Sequence, residues 1–134
     1  MILLDTHALL WMANDPKRLS KRAHEAIHHA RQNQMRQGPG IAIATITLWE
    51  IAWLAHRQRI VTLGSVESFV RETVARVILR PVTPAIAALA VGLPDPFPRD
   101  PSDRLIAATA MVEGMPLVTA DTRIRQSKLV ETVW

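Results

Sequence analysis

The chain has 134 residues, room for one ordinary domain over 1–134, and its 49% hydrophobic and 21% charged residues exclude a disordered or fibrous chain. Cysteine is absent, which excludes disulfide frames, thiolate metal sites and cysteine nucleophiles and fits a reducing compartment. Lys and Arg number 16 against 12 Asp and Glu, 13 of the cations being arginine, so the net charge of +4 points weakly toward phosphate-bearing partners.

The opening Ile2-Leu3-Leu4 reads as a buried strand that stops at Asp5, and Thr6 to Trp11 follows at helical spacing. No basic segment precedes this start, and the apolar run at 41–49 is about half of what spans a bilayer, so a soluble, cytoplasmic protein is expected. Asn14-Asp15-Pro16 breaks the helix, and Ser20 caps a polar helix over 21–35 that frays toward Gly38-Pro39-Gly40. Ile41 to Ala44 is a second buried strand, with Thr45 or Thr47 opening a helix through about Arg57. A short apolar piece at Ile60 to Leu63 precedes an amphipathic helix from Ser65, with Phe69, Val70, Val74 and Val77 on one side.

Ile78 to Val82 is expected as a third strand, Pro84 as the first turn of an Ala-rich helix, and Gly92 to Pro98 as a loop. Ser102 is expected to cap a helix from Asp103 to about Glu113 with Leu105, Ile106, Ala108, Thr109 and Val112 inward, ended by Gly114. Leu117 to Thr119 is a strand stopping at Ala120-Asp121, and Leu129 to Trp134 is a candidate for another. Strands alternating with helices imply an α/β fold in three layers, a parallel central sheet flanked by helices.

In such a sheet, ligands bind beyond the carboxyl ends of the strands. Asp5 and Asp121 fall there, Glu50 lies in the first turns of one following helix, and Asp103 opens another. Each has an ordinary role to hand. Asp5 can cap a helix, Glu50 can close a capping box with Thr47, Asp103 can complement a helix dipole and Asp121 can seat a turn. Together, four carboxylates in one crevice repel by about 4 kcal/mol per close pair at an effective dielectric of 20, which calls for a cation. Oxygen ligands without cysteine favour Mg²⁺ or Mn²⁺. Setting those four acids aside leaves 8 acids against 16 bases, a basic rim around a negative pit. That layout suits metal-dependent phosphodiester hydrolysis.

The runs Leu4-Asp5-Thr6-His7-Ala8-Leu9-Leu10-Trp11, Thr47-Leu48-Trp49-Glu50-Ile51-Ala52, Arg99-Asp100-Pro101-Ser102-Asp103-Arg104-Leu105-Ile106-Ala107-Ala108 and Leu117-Val118-Thr119-Ala120-Asp121 together resemble the PIN-domain ribonucleases, above all the VapC-type toxins of bacterial toxin-antitoxin pairs. The resemblance spans nearly the whole chain with the motifs in order. It implies an acidic quartet of Asp5, Glu50, Asp103 and Asp121 that binds Mg²⁺ or Mn²⁺ and cleaves single-stranded or loop RNA, leaving a 3′ hydroxyl and a 5′ phosphate. It also implies a cognate antitoxin, an RNA substrate such as tRNA or rRNA, and Thr119 orienting a carboxylate or water near the last acid. A homodimer without membrane attachment is expected alongside.

Thr6, His7, Asp100 and Arg104 adjoin the quartet. Asp100 either replaces Asp103 or starts the turn before its helix, and the turn is expected because Asp103 opens the helix. His7 either meets RNA, protonates a leaving group or is a hydrogen-bonded structural residue, the last being expected. Arg104 either pairs with a carboxylate or contacts phosphate. His24, His28, His29 and His56 are read as solvated surface. Trp49 and Trp53, one turn apart, are either core or part of a surface for self-association or an antitoxin helix. A non-catalytic RNA- or protein-binding domain is the competing reading.

Overall fold

The apolar stretch Ile2–Leu4 (β1) is the central strand of a five-stranded sheet with the order β3-β2-β1-β4-β5, every neighbouring pair being parallel. The computed structural model describes residues 1–37 and 40–134. The other strands are Ile41–Ala44 (β2), Ile78–Arg80 (β3), Leu117–Val118 (β4) and Thr132–Val133 (β5). Among the described residues, seven helices surround them: Thr6–Asn14 (α1), Lys21–Met35 (α2), Ile46–His56 (α3), Val66–Val74 (α4), Pro84–Gly92 (α5), Pro101–Val112 (α6) and Thr122–Ser127 (α7).

Side chains alternate along each strand, so the sheet divides the core into two layers. Leu3, Ala42, Ala44 and Leu117 pack with Ile106, Ala107 and Ala110 of α6, Phe97 of the preceding loop and Ile124 of α7. Leu4, Ile41, Ile43 and Val118 pack on the opposite face with Ala8 and Leu9 of α1 and Ala23, Ile27 and Ala30 of α2. A smaller cluster of Ile86, Ala90 and Ala108 joins α5 to α6. This is the three-layer α/β arrangement expected from the alternation of strands and helices.

The chain leaves β1 toward β2 and β3, then crosses back to place β4 on the other side of β1. The strand order therefore reverses between β1 and β4, and a crevice opens there at the strands' carboxyl ends. Asp5 and Asp121 follow these two strands.

Several details differ from the sequence expectation. Asp100, not Ser102, is the N-cap of α6, accepting from the amides of Ser102 and Asp103, and the helix begins at Pro101. An aspartate before a first-turn proline satisfies two free amides, whereas Ser102 is already helical and buried. Thr47 forms no capping box with Glu50, because it lies inside α3 and is buried against Thr6. The apolar piece at 60–63 is not buried as a unit, and Val61 and Leu63 lie exposed. The third strand stops at Arg80, short of Val82, and Val112 at the end of α6 is exposed. Val77 lies beyond α4 but packs on the α1–α2 side of the core. The short helix α7 and a 3-10 turn at Pro16–Arg18 had no counterpart in the expectation. The fraying expected through Gly38 and Pro39 falls outside the described residues.

Candidate active site

Two of the acids sit in the crevice because they also start helices. Asp5 Oδ1 accepts the Ala8 amide at 2.7 Å as the N-cap of α1. Asp121 Oδ1 accepts the amides of Arg123 and Ile124 at 2.8 and 3.2 Å as the N-cap of α7. Capping and site-building are thus one placement, since each cap engages one carboxylate oxygen and leaves the second. Asp103 comes from the first turn of α6 and Glu50 from the second turn of α3. All four line one pocket of about 470 Å³, together with Thr6, His7, Trp11, Arg18 and Asp100.

The pocket is strongly negative. Burial raises the Asp5 carboxyl above its ordinary value, opposed by the Thr119 hydroxyl, the Ala8 amide and His7. Glu50 is pushed up to about 7, first by burial and then by the charges of Asp103, Asp100 and Asp5, against a hydrogen bond from Thr6. Asp103 is pushed up to about 6 by burial, Asp100 and Asp121, with Arg123 pulling the other way. Arg123 lies 3.7 Å from Asp121 Oδ2 and is mostly exposed, so it neutralises the cluster only in part. Among the described residues no three carboxylates or imidazoles converge closely enough to enclose one ion by themselves.

The neighbours divide by what they touch. Thr6 is buried, and its hydroxyl donates to Glu50 Oε1 at 2.6 Å, so it aims the glutamate and is closed to RNA. Thr119 is buried too. Its hydroxyl accepts the Asp121 amide at 3.1 Å and faces Asp5, linking the two strand-end acids. Asp100 caps α6, as the turn reading expected, yet it also borders the pocket and adds to its charge. His7 departs from the expected hydrogen-bonded role: it is exposed on the pocket wall, with its ring 5.7 Å from Trp11.

Arg104 forms no ion pair among the described residues, and its guanidinium is engaged by backbone carbonyls. Nε donates to Pro98 O at 2.9 Å, and Nη1 donates to Leu93 O at 2.8 Å and Ala90 O at 3.2 Å. The guanidinium therefore ties the 93–98 loop and the end of α5 to α6. Sequence reasoning passed over Trp11, Arg18 and Arg123. Trp11 lies one turn beyond His7, and the Arg18 guanidinium stands 4.5 Å from its ring centre. Trp49 and Trp53 are not core: they stack at 6.3 Å with 59% and 42% of their surface exposed. His24, His28, His29 and His56 are on the surface, as expected.

A parallel sheet whose switch point gathers four acids from four elements defines a class, the α/β proteins with an acidic site at the carboxyl edge of the sheet. Residues 2–128 match the PIN domain. The chain is 42% identical over 135 residues, covering 99% of it and 98% of the relative, to Ribonuclease VapC22 of Mycobacterium tuberculosis. The chain belongs to the PIN-domain family and, within it, to the VapC-type ribonucleases. Its fold is similar to that in a crystal structure of VapBC2 from Rickettsia felis bound to a promoter DNA fragment, with TM-score 0.70, 18% identity, and 98% and 97% of the two chains covered. DNA-bound VapBC from Salmonella typhimurium is similar at TM-score 0.69 and 17% identity, again covering 98% and 97%.

Proposed function

We propose that the chain is a Mg²⁺- or Mn²⁺-dependent endoribonuclease that acts as the toxin of a toxin-antitoxin pair on single-stranded or loop RNA. The observation that carries this reading is the acidic pit itself: Asp5, Glu50, Asp100, Asp103 and Asp121 line one pocket, where burial and mutual repulsion raise Glu50 and Asp103 above ordinary carboxylates. Four oxygen ligands without cysteine fit a hard cation.

Asp5, Asp103 and Asp121 would hold the cation, with Glu50 at its edge. A bound cation supplies charge for the scissile phosphate and makes water more acidic. Thr6 holds Glu50 Oε1, which leaves Oε2 to orient a water and take its proton. Thr119 keeps Asp5 and Asp121 in register. The net positive charge, carried mostly by arginine, attracts the RNA backbone.

The proposed partner is a cognate antitoxin, supported by the VapBC complexes that share the fold. The exposed Trp49–Trp53 pair on α3 supports a homodimer. No helix among the described residues is long and apolar enough to cross a membrane, in keeping with a cytoplasmic site of action.

The test is incubation of total RNA with the purified protein in Mg²⁺, Mn²⁺ or EDTA, beside Asp5→Asn. Discrete cuts that require both the metal and Asp5 are expected, with 5′ phosphates at the new ends. Cleavage unaffected by EDTA, or undiminished in Asp5→Asn, contradicts the proposal.

A further inference from the structure

Outside the pit, a groove of about 510 Å³ lies between the start of α2, α7 and β5. Arg22, Arg125 and Lys128 line it with Thr122, Gln126 and Trp134, and no carboxylate side chain does. Among the described residues, none of the three cations is paired with an acid. Three unpaired cations along one concave face form an anion track, not a set of solvated ion pairs.

Residues that line the groove adjoin residues that line the pit at two places. Asp121 lines the pit and the next residue, Thr122, lines the groove. The Trp134 ring on the groove side lies 5.6 Å from the ring of Trp11 on the pit side, at 53°. An aromatic step between an acidic pit and a cationic groove suits a chain that alternates flat bases with phosphates.

We infer that this groove is the binding track for one arm of a single-stranded RNA substrate, with Arg22, Arg125 and Lys128 contacting successive phosphates and Trp134 stacking a base next to the cleavage site. The inference rests on the ribonuclease reading above and adds where the strand runs. Charge complementarity selects the occupant: a polyanion with an aromatic component fits, and an apolar helix does not. Arm length follows as well, since substrates trimmed to the few nucleotides over the pit lose these contacts and bind weakly.

Lys128 provides a clean probe. It occupies the left-handed region at the end of α7, with φ 56° and ψ 14°, a conformation that glycine adopts more easily. Lys128→Gly therefore removes a charge while easing the backbone, so reduced RNA binding by this variant is not a folding defect.

The experiment measures fluorescence anisotropy of a labelled mixed-sequence 12-nucleotide RNA in EDTA from 50 to 200 mM salt. The proteins are wild type, Arg125→Gln, Lys128→Gly, Trp134→Leu and the control Arg36→Gln at the far end of α2. A parallel Mg²⁺ assay scores cleavage. Each lost phosphate contact is expected to weaken binding about fivefold near 0.1 M salt and to lower the slope of log K against log salt by about 0.7. Trp134→Leu should lose about tenfold with the slope unchanged. Lys128→Gly should melt no lower than wild type, and Arg36→Gln should match it throughout.

Wild-type cleavage with unchanged affinity and slope in the groove variants overturns the track and leaves the nuclease reading standing. Neither cleavage nor binding by wild type overturns both. Displacement of the RNA by a 12-residue polyglutamate peptide at lower concentration than by unlabelled RNA assigns the groove to an acidic protein segment and overturns the track.

Discussion

Asp103 and Arg104 are neighbours on α6, and the same helix treats them in opposite ways. The Arg104 guanidinium donates three hydrogen bonds to the carbonyls of Ala90, Leu93 and Pro98. The Asp103 side chain accepts none within the described chain, and burial with neighbouring acids pushes it up to about 6. A polar group satisfied by backbone builds the fold, because leaving those carbonyls bare costs free energy. A charged group left unsatisfied in a pocket lowers stability and is available to a ligand. The two residues mark the boundary between the part of the molecule that holds it together and the part that reacts.

That contrast breaks most visibly in activity. Asp103→Asn is expected to lower metal-dependent RNA cleavage by about a thousandfold or more, on the scale of removing a group that acts on transition-state charge. It should also raise the melting temperature of metal-free protein at pH 7.5, because a repelling charge is gone. Arg104→Met should do the reverse. Three carbonyls lose a charged donor, a loss of roughly 3 kcal/mol, or about 10 °C in melting temperature at this size. Cleavage by the folded fraction in the cold should stay within about fivefold of wild type, and an unchanged RNA salt slope would separate this role from a phosphate contact.

A smaller effect sharpens the view of the pit. Thr6→Val removes the hydrogen bond that lowers the Glu50 pKa, so cleavage should drop about tenfold or more and its alkaline-rising midpoint should move to higher pH. The pH dependence of stability has a definite sign. Glu50 and Asp103 bind protons more tightly folded than unfolded, so their contribution to the stability of metal-free protein should be greatest near pH 4 and be lost as pH rises through about 6 and about 7. Melting curves in EDTA between pH 4.5 and 8 test this. The smallest effect belongs to Asp100→Asn: asparagine still caps α6, so cleavage should remain within about tenfold of wild type. A variant as inactive as Asp103→Asn would place Asp100 among the cation's ligands.

Much of this was legible in the chain because hydrophobic runs ending in aspartate mark both a strand's end and the edge where sites form. Ile2-Leu3-Leu4-Asp5 and Leu117-Val118 with Asp121 located the central strands and the switch-point acids together. The order of the four acidic motifs located the pit. The bond from Thr6 to Glu50 spans 44 residues and depends on how α1 meets α3, which no local pattern encodes. The carbonyl partners of Arg104 are hidden for the same reason: they lie 6, 11 and 14 residues away along the chain, at the end of α5 and in a loop whose path depends on packing. The short helix α7 carries too few residues to show a period, though its Asp121 cap was in view. In the case of Ser102, a good capping residue drew attention from the better signal beside it, Asp100 before Pro101.

The central claim is that the pit is held short of neutrality until a cation arrives, and melting the protein in EDTA and in 5 mM-scale Mg²⁺ at pH 7.5 tests it most directly. Wild type should gain several degrees with Mg²⁺, about 2.7 kcal/mol for metal at a hundred times its dissociation constant, and Asp103→Asn should start higher and gain little. Equal melting temperatures with and without the metal, in a wild type no less stable than its variant, would contradict the account.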